Sequence, residues 1–321
     1  MNAIASGEFW VFVGVIAGIY TLLGLGIQLE FGFAGLLNFG HVAFMAIGAY
    51  TMAILTVKAG LSMWLSAGLG VLAAAAAGIV LGLPTLRLRA DYFAIVTIAF
   101  GEIVRYVATN EDGLTGGSQG TINLAGPGQA SEYNGSWERF QTWLQHALHV
   151  GSSDVAMLLV VWAAALALTA LLAASARTPW SRVLKSIRED EDVAASLGKN
   201  VFAYKLQALA LGSAAAGLAG CFFAWQFSFF SPGDFAPLLT FFAWMIVILG
   251  GLGRPWSVPV GALMLGVIYA GTRFFDFPPF SYFDSAERAY LRLIVIGVVI
   301  IGLVLFRPQG VLGRREELVL E

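Results

Sequence analysis

The chain has 321 residues, 58% hydrophobic and only 12% charged, with a net charge of -2 at neutral pH. Soluble chains carry about a quarter charged residues, and single soluble cores stop growing at roughly 250–300 residues, so lipid must solvate much of this apolar surface. The charge balance excludes a strongly basic nucleic-acid binder, and a single cysteine, Cys221, excludes a disulfide framework.

A bilayer-crossing helix needs about 20 apolar residues. Such runs lie near 8–28, 34–57, 61–83, 91–108, 154–176, 204–228, 237–253, 257–275 and 287–306. They predict an all-α polytopic membrane protein of about 8–10 transmembrane helices, with room for broken or re-entrant segments. Residues 1–321 are expected to form a single transmembrane domain with two long loops, 109–153 and 177–205. Pro84, Pro127, Pro179, Pro232, Pro255, Pro278, Pro279 and Pro308 are assigned to the connections, and Pro237 and Pro259 to span starts, where a missing N–H costs little. The first run lacks a convincing small-residue cleavage site and reads as a retained helix.

In chain order, the first run carries Gly14 and Gly18, small residues four apart that let helix backbones approach closely in lipid. Gly78 with Gly82, and Ser213 with Gly217, repeat that spacing. Gly24, Gly26, Gly32, Gly35 and Gly40 form the densest glycine run. It fits either a helix broken at membrane depth, tolerable only under a cover of protein or around a cavity, or tight packing of intact helices. Asn38 and His41 follow, three apart and hence on one face if that stretch is helical. Polar residues inside spans point to function; these two suit interhelical hydrogen bonding or the lining of a solute path equally. Glu30 and Lys58 are assigned to the first two turns. Glu102 and Arg105, also three apart, suit a pair near the end of the fourth span.

The loop 109–153 opens with the turn-forming run Asn110–Gly120. Trp137, Phe140, Trp143, Leu144 and Leu148 then recur at helical spacing, predicting an amphipathic helix at the membrane interface with tryptophan at headgroup level. The loop 177–205 holds Arg177, Arg182, Lys185, Arg188, Lys199 and Lys205, and Leu184, Ile187, Ala194, Leu197 and Val201 form an apolar stripe. That predicts one helix over 184–201, able to enter a groove on a soluble partner. Short basic loops stay cytoplasmic, which puts 177–205, Arg87, Arg89, Arg254 and the tail with Arg307, Arg314 and Arg315 inside, and 109–153 outside. The N-terminal side is undecided.

Asp192-Val-Ala194-Ala195-Ser-Leu-Gly198 resembles the cytoplasmic loop signature of ATP-binding-cassette (ABC) importer permeases, with Asp192 in place of the usual glutamate and Val193 in place of an alanine. The stretch from Gly35 through Asn38, Gly40 and His41 to Tyr50 looks like the signature of the branched-chain amino-acid permeases. So do Leu86–Ile95, Leu114–Gly117, Gly250–Gly253 with Pro259–Ala262, and the ending Phe306–Gly310. The resemblance covers nearly the whole chain, and the extended loop 109–153 resembles the longer of the two permease types.

The resemblance implies a bacterial inner-membrane importer with a second homologous permease, two cytoplasmic ATP-binding subunits and an extracytoplasmic solute-binding protein. It implies uptake of leucine, isoleucine and valine; urea, short amides or other amino acids are the alternative cargo. Asp192, Ala194, Ala195 and Gly198 would then couple to the ATPase, with Asn38 and His41 near the solute path. The chain lacks a G-x-x-x-x-G-K-[ST] phosphate loop, so hydrolysis is expected on the partners, and no cofactor or metal site is expected here. An ion-driven transporter would need an embedded ionisable site, for which His41 and Glu102 are the candidates.

Overall fold

The computed structural model describes residues 7–124, 135–148, 153–227 and 229–271, scattered positions from 287 to 306, and 310–313. α1 (Gly7–Ile27) runs into a π-helical turn, Gln28–Phe33, and an irregular stretch separates it from α2 (His41–Val57). α3 (Met63–Thr85) and α4 (Ala90–Asn110) follow, then α5 (Asp112–Thr115), a 3-10 segment Gly117–Asn123 and α6 (Gly135–Leu148). α7 (Ser153–Ser175) leads into two short helices, α8 (Pro179–Glu189) and α9 (Glu191–Ser196). α10 (Val201–Phe227), α11 (Pro237–Gly250) and α12 (Ser257–Gly271) come last.

α1 with its π turn, α3, α4, α7 and α10 are long and apolar enough to cross a membrane, and α2, α11 and α12 are shorter apolar helices. The molecule is therefore a multi-pass, all-α membrane protein. The ninth predicted run, 287–306, lies largely outside the described residues. α10 is the central helix: over its most apolar stretch 78% of it is buried among the described residues, against 22% for α4.

Glycine decides how closely the helices approach. A Cβ on Gly78 would stand 2.4 Å from Ser213 Oγ, and one on Gly217 2.5 Å from the Ala74 Cβ, so α3 and α10 meet along both small-residue pairs. Gly14 and Gly18 similarly receive Leu158 and Val161 of α7. Dispersion contacts between close backbones replace the hydrophobic drive that lipid removes.

Four expectations change. Pro84 lies inside α3, one residue from its end, rather than between spans; at that position it removes only a last-turn hydrogen bond. The second span does not begin at 34, because residues 34–40 are not helical. The stretch 184–201 is not one helix. Asp190 takes an extended conformation (φ -156°, ψ 110°), and its carboxylate accepts from the Asp192 and Val193 amides at 2.9 Å, ending α8 and capping α9. Finally, the α6 tryptophan Trp137 is 1% exposed and stacks on Trp225 at 4.5 Å, with Trp64 edge-on at 6.0 Å. Trp143 is the exposed one.

Contacts sort the connections to two ends. At one end the Arg87 guanidinium lies 5.8 Å from the Phe202 ring centroid, Arg188 reaches Gly32, and Arg254 donates to the Leu312 carbonyl. At the other, Lys58 donates to the Gly113 carbonyl, and the Thr121 amide donates to the Phe230 carbonyl.

Candidate functional site

The break between α1 and α2 builds the most polar part of the interior. Glu30 in the π turn and His41 at the start of α2 are both 0% exposed, and Asn38 between them is 1% exposed. The Asn38 amide donates to Glu30 Oε2 at 2.9 Å, and His41 Nδ1 lies 3.2 Å from the same oxygen. Among the described residues Glu30 Oε1 and both ring nitrogens of His41 have no hydrogen-bond partner, so the 3.2 Å approach of Nδ1 to Glu30 is a close contact and not a hydrogen bond. Two glycines close the site. A Cβ on Gly212 would stand 2.4 Å from Glu30 Oε1, and one on Gly26 would stand 2.5 Å from His41 Nε2. Gly212 lies eleven residues along α10 from Val201, about 16 Å of helix at 1.5 Å per residue.

A helix break within a membrane protein leaves backbone groups that lipid could not satisfy, and neighbouring helices supply most of the partners. The Phe39 amide donates to Thr97 Oγ1 of α4, the Gly40 amide to Asn38 Oδ1, and the Val42 amide to Thr240 Oγ1 of α11. Trp244 of α11 donates its indole N–H to the Asn38 carbonyl at 3.0 Å and stacks on Phe39. The Gln28 amide, oriented to suit its surroundings, accepts from the Gly253 and Arg254 amides at 2.7 Å. Gly40 has no room for a side chain, since a Cβ there would meet the Thr97 carbonyl oxygen at 1.9 Å.

The structure thus brings Asn38 and His41 together through Glu30, not through a shared helix face. Glu30 is a buried centre rather than a turn residue. Sequence reasoning passed over it, together with Thr97, Thr240, Trp244 and Gly212. The glycine run was the available signal, since its broken-helix reading demands satisfied polar groups close by. Glu102 and Arg105 form a pair at 2.6 Å, both about 28–29% exposed, with the Arg105 guanidinium 4.9 Å from the Tyr106 ring centroid.

The loop signature lies elsewhere, on α9. Ala194 is 2% exposed, whereas Val193 and Leu197 are 56% and 74% exposed. Asp192, Ala195 and Gly198 are exposed as well. Gly198 adopts φ +77° with open space around it, so glycine there permits the turn into α10 rather than a close contact within this chain. α8 sits between this surface and the break. Its Leu184 and Ile187 are buried, Lys185 Nζ lies 5.4 Å from the Phe33 ring centroid, and Arg188 donates to the Gly32 carbonyl at 2.5 Å.

Two further motifs form one unit. Gly251 (φ +123°) and Gly253 (φ +79°) turn the chain after α11, and the Val311 and Leu312 amides donate to the Leu249 and Gly250 carbonyls. Residues 307–309 of the ending lie outside the described set. At the opposite end, Gly116 and Gly117 take positive φ beside Thr115, whose hydroxyl donates to the Ala108 carbonyl at 2.6 Å.

Residues 10–304 match the model of the branched-chain amino acid transport system permease component family. The chain belongs to that family. It is 36% identical over 308 residues to the high-affinity branched-chain amino acid transport system permease protein LivM of Escherichia coli, covering 94% of this chain and 69% of that protein. The probable permease LivM of Methanocaldococcus jannaschii is 22% identical, covering 93% and 91%. LivH of E. coli is 26% identical, covering 95% of each. No solved structure matched. Membership of the family makes this chain a transport component, and Asn38 and His41 of its buried centre lie in the Gly35–Tyr50 motif quoted above.

Proposed function

We propose that this chain is the permease subunit of an ATP-driven importer that carries branched-chain amino acids across a bacterial inner membrane. The observation that carries the reading is the match along nearly the whole chain to permeases named for that transport. The partners are a second homologous permease, two cytoplasmic ATP-binding subunits that perform the hydrolysis, and an extracytoplasmic solute-binding protein. The exposed α9 surface around Asp192, Ala195, Leu197 and Gly198 is the docking element for an ATPase, with Ala194 anchoring it from beneath. The loop 177–205 and the turn with Arg254 face the cytoplasm, and 109–153 faces outside. Because Gly32 and Phe33 contact α8, the same orientation puts the Gly7 end of α1 outside.

In this conformation Asn38 and His41 are enclosed by the chain itself, and their part in transport is to hold the break that borders the path. ATP binding moves the loop, and the helices change the side to which the path opens, a population shift between two conformations. Uptake in cells lacking this permease and complemented with it tests the cargo. Labelled leucine should enter, with unlabelled isoleucine and valine competing and urea not competing. Uptake of urea or acetamide without leucine uptake would reassign the cargo.

A further inference from the structure

Resting on that reading, we propose that Arg188 is the positioning residue that transmits movement of the loop 177–205 to the buried Glu30–Asn38–His41 centre. Its guanidinium donates to the Gly32 carbonyl, one of the backbone acceptors that the end of a helix leaves over. Among the described residues no carboxylate pairs with Arg188, so this charge-assisted bond is its principal tie. The contact is also steric. Gly35 takes φ +72°, and a Cβ there would stand 3.1 Å from Arg188 Cγ and 3.4 Å from its Cα, so the end of α8 bears directly on the broken segment. Lys185 over Phe33 makes a second contact one turn earlier.

From Gly32 the path to the centre is two residues long. The Leu36 amide donates to the Glu30 carbonyl at 2.9 Å, and the Gly35 amide to the Phe31 carbonyl at 3.0 Å, so the turn that Arg188 grips is the turn that carries Glu30. Gln28–Phe33 is a π-helical turn, a rare feature that occurs inside helices mostly as a single turn and often at functional sites. Glu30 in turn holds Asn38, whose side chain and carbonyl bind the Gly40 amide and Trp244. Displacing α8 therefore pulls on Gly32, and the pull reaches α2, α4 and α11 through named hydrogen bonds. Val193 and Leu197, left exposed on α9, remain available to the ATPase throughout.

The test uses the whole importer in vesicles, with labelled leucine as the probe. Arg188→Ala should retain the ATP-binding subunits and hydrolyse ATP within about twofold of wild type, while leucine moved per ATP falls about tenfold, within the usual range of a coupling free energy. Arg188→Lys still has a donor for the Gly32 carbonyl and should recover much of the ratio. A second readout separates coupling from mere stability. Leu37→Cys in a Cys221→Ser background should be alkylated at different rates with and without trapped nucleotide, and Arg188→Ala should abolish that difference. If Arg188→Ala does not assemble, Arg188→Met keeps the stem against Gly35 without an N–H donor and carries the same readouts. An unchanged leucine-to-ATP ratio, or nucleotide-dependent alkylation that survives the substitution, overturns the proposal. An unsubstituted complex that moves neither leucine nor urea, a short amide or another amino acid overturns the permease reading itself.

Discussion

Gly212→Ala adds one methyl group at the point where α10 closes over Glu30. The new Cβ would lie 2.4 Å from Oε1, 2.6 Å from Cγ and 2.7 Å from Cδ of Glu30. Ordinary contact begins near 3.4 Å, so the carboxylate must retreat by about 1 Å. It is fully buried, and the retreat breaks its 2.9 Å bond from Asn38. Overpacking costs about 1–3 kcal/mol, and leaving the buried Asn38 donor unsatisfied costs about 1–3 kcal/mol. Helix propensity returns about 0.5–1 kcal/mol for Gly→Ala, which leaves a net loss of about 1–5.5 kcal/mol. Gly68→Ala in α3 is the control, because nothing lies within 4 Å of its Cβ; it should be neutral or slightly stabilising. Thermal unfolding of the purified complex, with leucine uptake alongside, measures both. If Gly212→Ala unfolds at the temperature of Gly68→Ala and transports normally, the closed Glu30 centre is not as described.

Other perturbations test separate parts. Thr97→Val is nearly isosteric and orphans the part-buried Phe39 amide, so it should cost about 1–3 kcal/mol; unchanged unfolding would show that the break does not depend on α4. Leu197→Asp changes a side chain that is 74% exposed, so stability should hold while co-purification of the ATP-binding subunit falls, and full retention with normal uptake would remove α9 as the docking element. Ser186→Cys should resist an impermeant thiol reagent added to intact cells and Thr142→Cys should react; the opposite pattern reverses the orientation.

How much of this was legible depended on whether a signal was local. The spans were readable because composition and length alone define a lipid-solvated helix, and α7 and α11 begin where the hydrophobicity does. Gly78, Gly217 and their partners were readable because spacing places small residues on one face. The break was foreshadowed by its glycines, but its geometry was not. Asn38 meets His41 through Glu30, eight residues upstream, and the acceptors for the freed amides come from Thr97 and Thr240, distant in the chain. No periodicity encodes such long-range partners. Asp190 misled in the other direction: its neighbours keep an apolar stripe, and a local side-chain cap splits the helix regardless.

The central claim is that this permease moves its cargo at the expense of ATP hydrolysed by separate subunits. It is tested most directly in vesicles containing this chain, its partner permease and the ATP-binding subunits, with the solute-binding protein supplied on the opposite face. Labelled leucine should accumulate only with ATP on the side of the loop 177–205, and should continue when ionophores collapse every ion gradient. Accumulation that proceeds without ATP and stops with the ionophores would contradict the account and assign the chain to ion-driven transport.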